Sequence, residues 1–79
     1  GTPKLSGGEI RALRKSLQST ERKMDTLRGK IAETQQAMHD VDPTDFQALG
    51  AKQAEIDELQ EKLEALELEW LEAAETLGE

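Results

Sequence analysis

A polar break, Asp40-Val41-Asp42-Pro43-Thr44, divides this 79-residue chain into two halves that carry the same apolar repeat. Upstream the repeat runs Ile10, Leu13, Leu17, Thr20, Met24, Leu27, Ile31, Thr34, Met38, Val41; downstream it runs Leu49, Lys52, Ile56, Leu59, Leu63, Leu66, Trp70, Ala73, Leu77. Steps of three and four alternate without a slip, which is the 3.5-residue average of a coiled-coil seam. The residue before a proline is pushed out of the helical region, and Pro43 has no N–H to continue a helix. The pattern therefore predicts two helices, and so short a connection requires them to lie antiparallel. The expected fold is all-α, a two-helix antiparallel coiled-coil hairpin forming one domain over residues 1–79. It has a short extended N-terminal lead-in (1–8), helix one (9–40), a turn (41–44) and helix two (45–77).

Local signals fit this outline. Ser6-Gly7-Gly8-Glu9 matches the Ser-x-x-Glu capping box, while Asp42 with Pro43 at the first helical position, or else Thr44, suits the start of helix two. Gly29 costs about 1 kcal/mol within helix one, too little to outweigh so regular a repeat. Lys52, the one charged seam residue, and neighbouring Gly50 predict the loosest packing near the turn. Thr34 brings to the seam a hydroxyl with no obvious partner. Centring the reversal between Val41 and Asp42 pairs Leu13 with Trp70, Leu17 with Leu66, Thr20 with Leu63, Met24 with Leu59, Leu27 with Ile56 and Thr34 with Leu49. That register brings Arg14 toward Glu67 and Lys30 toward Glu55, and sets Lys23 near Lys62. Exposed pairs contribute only ~0–1 kcal/mol each, so stability is assigned to the seam and orientation to charge. Helices of roughly 30 residues give a rod of about 45 Å.

Charge divides as sharply as the repeat. Residues 1–40 hold eight Lys/Arg against five Asp/Glu, net +3, and residues 41–79 hold two against twelve, net −10, which together give the formal charge of −7. Halves of opposite sign favour folding onto each other over self-association, so a monomer is expected. One Phe, one Trp and no Tyr, in a chain this short, argue against a core that shelters catalytic groups. With no cysteine, neither a disulfide framework nor a thiolate metal site is available. No apolar run reaches membrane length and no secretory signal pattern opens the chain, so a cytoplasmic location is expected. The start Gly1-Thr2 suits a piece of a longer protein.

Leu5-Ser6-Gly7-Gly8-Glu9 is similar to the LSGGQ signature of ATP-binding cassettes. No Gly-rich phosphate loop precedes it and no Asp-Glu strand follows it, so it reads as a helix cap and the chain as non-catalytic. His39, Asp40, Asp42 and Asp45 lack the EF-hand spacing and read as a solvated turn, with no metal assigned. The run Glu61, Glu64, Glu67, Glu69, Glu72, Glu75 reads as a solvated face. Two sets remain as candidate sites. Arg11, Lys15 and Arg22 project outward from helix one with Arg14 on its flank, a line of cations suited to phosphate contact. Leu68 and Leu71 fall at outward heptad positions beside Trp70, a candidate protein-docking patch.

The ordered set Glu9-Ile10-Arg11-Ala12-Leu13-Arg14-Lys15, Glu21-Arg22-Lys23-Met24, Met38-His39-Asp40, Asp45-Phe46, Leu49-Gly50-Ala51 and Leu68-Glu69-Trp70-Leu71-Glu72 resembles the C-terminal coiled-coil domain of ABC-F ATP-binding proteins of the Uup type. Pro43 in the turn and Gly7-Gly8 at the entry depart from that pattern. The resemblance implies a parent with two tandem ATPase cassettes, acting in the cytosol on ribosomes or nucleic acid. It also implies that this domain contacts DNA or ribosomal RNA and tunes the parent, with no cofactor of its own. Two rival expectations are a structural arm docking on its own ATPase or a protein partner through Leu68, Trp70 and Leu71, and a homodimeric coiled-coil spacer.

Overall fold

The computed structural model describes residues 5–78, in which two α-helices, α1 (Gly7–Met38) and α2 (Phe46–Leu77), pack together as an antiparallel hairpin. Residues 1–4 of the expected lead-in lie outside the described residues. The molecule measures 60 × 19 × 14 Å with a radius of gyration of 18.0 Å, against about 12 Å for a compact chain of this length. The rod exceeds the expected 45 Å because each helix has 32 residues, about 48 Å at 1.5 Å per residue, and the turn adds to that.

Ser6 starts α1 from an extended backbone; its Oγ accepts from the Glu9 N–H and donates to Glu9 Oε1, each at 3.1 Å. Ser6 therefore caps the helix as expected, with Glu9 reaching back to the Ser6 hydroxyl and not to its backbone N–H, and the cap draws Gly7 and Gly8 into the helix instead of leaving them in a lead-in. At the other end α1 runs out through successive i→i+3 bonds from the N–H groups of His39, Asp40 and Val41. The reversal is a turn with Asp42 at its first position and Pro43 at its second, where both residue types are favoured. It is closed by the Asp45 N–H donating to the Asp42 carbonyl at 2.9 Å. Asp42 Oδ1 accepts from both the N–H and the hydroxyl of Thr44, at 2.9 and 2.7 Å. With Asp42 and Thr44 spent on the turn, the cap of α2 falls to Asp45, whose Oδ1 accepts from the Ala48 N–H at 3.0 Å. α2 ends on Gly78, left-handed at φ 80°, the conformation that glycine adopts without a Cβ penalty.

Every seam position from Ile10 to Val41 and from Leu49 to Leu77 is buried or half-buried. The buried set is Leu17, Thr20, Met24, Ile31 and Thr34 from α1 with Ile56 and Ala74 from α2. Thr34 is not short of a partner, since its hydroxyl donates to the Lys30 carbonyl at 2.8 Å. Half-buried Lys52 lies in the seam near the turn and turns its ammonium to Glu55 at 3.9 Å.

The register differs from the expected one. The Trp70 indole N–H donates to Glu21 Oε1 at 3.0 Å, and the ring shares a groove with Met24 and Arg28, so Trp70 packs about two helical turns beyond Leu13. Leu27 shares a groove with Leu66, and Met38 with Ile56, a displacement in the same direction. An a-to-d seam can be satisfied only in steps of one heptad. The chain passes Val41 before it reverses through Asp42–Asp45, and the next allowed step is the one taken. The expected ion pairs Arg14–Glu67 and Lys30–Glu55 are lost with the old register. Among the described residues the ion pairs are Arg28–Asp25, Lys52–Glu55 and Lys62–Glu58, each within one helix.

Candidate nucleic-acid interface

Helix periodicity sets Arg11, Lys15 and Arg22 at four- and seven-residue steps along α1, so they rise along one side of the rod over about 16 Å. Arg14 stands on the adjoining flank. All four are exposed, and among the described residues none of them forms an ion pair. Their guanidinium and ammonium groups are open to phosphate, and the acidic surplus belongs to the other helix: α2 carries the carboxylates from Glu55 to Glu75.

A second cationic feature lies between the helices, where the expected register already set Lys23 near Lys62. Lys23 and Lys62 line one interhelical groove of about 610 Å³ together with Arg22, above a floor of Leu27, Ala65 and Leu66. No carboxylate lines it. Lys62 also meets Glu58 on its own helix at 3.5 Å, both side chains more than half exposed. What the expected register did not place is Leu27 beside Leu66, because the groove's two walls come from different helices.

The docking candidates separate. Leu68 is 62% exposed and Leu71 49% exposed, and together with Glu64 and Glu67 they line a shallow groove on α2. Trp70 is half-buried and turned toward α1 by its bond to Glu21. Phe46, which the sequence reading gave no role, is 79% exposed at the first position of α2. Its place beside the turn residues Asp40, Asp42 and Asp45 was readable, but its exposure depends on where the chain reverses.

At the turn, the backbone N–H of Thr44 and then its hydroxyl hold the Asp42 carboxyl below the ordinary aspartate range. The Asp45 carboxylate is engaged in its cap. Among the described residues no three His, Cys, Asp or Glu side chains gather as metal ligands, and no helix is long and apolar enough to cross a membrane.

Residues 9–75 match the family model described as the ABC transporter C-terminal domain. No curated protein and no solved structure matches the chain.

Proposed function

The chain belongs to the ABC transporter C-terminal domain family, and from that premise we propose that it is a non-catalytic appendage that contacts DNA or structured RNA and tunes its parent ATPase. The parent is an ABC-F protein of the cytosol, with the ribosome among its partners. The contact surface is the basic side of α1, formed by Arg11, Arg14, Lys15 and Arg22. The observation that carries this reading is the line of four exposed cations outside any ion pair, on the helix opposite the acidic surplus. A net charge of −7 repels a polyanion at long range, so binding requires α1 to face the phosphates and α2 to face away.

Contact through the backbone alone gives non-specific affinity of ~10⁻⁴ to 10⁻⁶ M at physiological salt. Three or four phosphates engaged on duplex DNA give a log–log salt slope of about −3. A low-salt titration of labelled duplex DNA and structured RNA, with wild type beside Arg11→Glu/Lys15→Glu/Arg22→Glu, tests it. The triple variant is expected to lose binding; wild-type affinity in that variant, or no binding by either protein, sinks the reading.

A second reading is supported by the exposure of Leu68 and Leu71 amid Glu64 and Glu67: a docking arm for a basic surface of the parent ATPase or a protein partner. Trp70 would then act by bracing α2 against α1.

A further inference from the structure

The interhelical groove between α1 and α2 is not explained by α1's outward cations. Seventeen Asp/Glu outnumber ten Lys/Arg in this chain, yet the groove presents Arg22, Lys23 and Lys62 and no carboxylate. Gathering like charges costs stability, and the one local compensation, Glu58 to Lys62, is an exposed pair worth little. The remaining lining is of a different character: Leu27 and Leu66 are half-buried, Ala65 is exposed, and Ser19 and Thr26 add two hydroxyls. At about 610 Å³ the groove is within the size range of small-ligand sites. An anionic periphery around a flat apolar body is the chemistry that fits, and a nucleotide unit of an unpaired strand has both.

The geometry points to this groove as a site for single-stranded nucleic acid, with a base laid on Leu27, Ala65 and Leu66 and the flanking phosphates held by Arg22 and Lys23 from α1 and Lys62 from α2. The inference rests on the nucleic-acid reading above, because Arg22 belongs to both surfaces and makes them continuous. It adds a choice of substrate. A duplex keeps its bases stacked and offers the protein only phosphates, which α1's outward cations suffice to meet. An unpaired strand exposes the face of a base; single strands are commonly held by stacking that face on aromatic side chains beside a cationic track, and here Leu27, Ala65 and Leu66 offer an aliphatic surface in the aromatic's place. The strand then crosses the seam from one helix to the other, so Lys62 on the acidic helix becomes a ligand contact.

The test titrates this chain with a labelled oligothymidine and with a mixed-sequence duplex of equal length across a salt series. Two variants accompany wild type: Lys23→Gln/Lys62→Gln, which removes rim charge, and Ala65→Gln, which fills the floor without altering charge. Helicity of each is checked by circular dichroism. The double variant is expected to weaken the single strand by roughly tenfold and to reduce its salt slope by about 1.4, two phosphates at 0.7 each. Duplex affinity should stay within about threefold, since its contacts are Arg11, Arg14, Lys15 and Arg22, which the variant keeps. Ala65→Gln should weaken the single strand and leave the duplex unchanged. If both variants act equally on the two ligands, or on neither, the groove assignment falls while the α1 reading stands. If wild type binds no nucleic acid, both fall. Tighter binding of an acidic, leucine-bearing helical peptide than of the oligothymidine, lost in Lys23→Gln/Lys62→Gln, overturns the assignment in favour of a peptide groove.

Discussion

α1 and α2 have the same length, yet α1 buries five side chains and α2 two. The difference does not follow the supply of large apolar residues, which favours α2: Leu59, Leu63, Leu66 and Trp70 all stay half-buried. In a hairpin each seam residue has one opposing helix to cover it, so a small side chain is readily hidden, while of the large ones Leu17, Met24, Ile31 and Ile56 are covered and the rest keep an open edge. Thr20 and Thr34 on α1 are sealed in this way, and Ala74 on α2 is sealed likewise. The outward faces repeat the contrast in another form, with cations along α1 and carboxylates with two exposed leucines along α2. Burial and surface chemistry are thus distributed independently over the two helices.

The largest expected effects probe burial. Leu17→Ala on α1 and Ile56→Ala on α2, where Ile56 is 3% exposed, should each destabilise by ~2–5 kcal/mol, whereas exposed Leu71→Ala should stay within ~0.5 kcal/mol. Equal losses at all three in thermal melts would break the distinction between sealed and open positions. Next in size are the helix-interior glycines, one on each helix. A Cβ added at Gly29 or Gly50 meets nothing within 4 Å, so Gly29→Ala and Gly50→Ala should each raise stability by ~0.5–1 kcal/mol. A gain on only one helix would show that backbone strain, and not only burial, separates α1 from α2.

Smaller still is Trp70→Phe, which keeps an aromatic ring in the seam and removes the bond to Glu21. A cost on the order of 0.5–1 kcal/mol is expected, and no cost would mean that packing alone fixes the register. The smallest effect belongs to the turn. The folded Asp42 carboxyl titrates below its unfolded counterpart, so its contribution is present above the ordinary aspartate range and is lost as pH falls through the folded value. Denaturant melts at neutral pH and at about pH 3 should show a larger acid-induced loss for wild type than for Asp42→Asn.

The seam was legible because heptads report which residues face inward, and no seam position from Ile10 to Leu77 is exposed. Ala74 was missed because alanine is equally at home on either side of a helix. The register was not legible for a stronger reason: a seven-residue repeat is unchanged by a seven-residue shift, so only the turn decides, and the sequence pointed to Asp42 or Thr44 as the cap where the structure uses Asp45. Arg11, Arg14, Lys15 and Arg22 were readable as exposed cations since each depends on one helix alone. Lys23 beside Lys62 was readable even in the expected register, whereas Leu27 beside Leu66 and the bond from Trp70 to Glu21 needed two helices in the right alignment.

All three ion pairs of the described residues lie within a helix, and none ties α1 to α2. The two helices are therefore held by apolar contact and the Trp70–Glu21 hydrogen bond, with no ion pair between them for added salt to screen, whereas any hold on a polyanion is eroded by salt. On the proposed surface, ionic strength would thus act as a release control while leaving the scaffold clamped. A strand held as proposed would be washed off this hairpin and readmitted to it without a refolding step between.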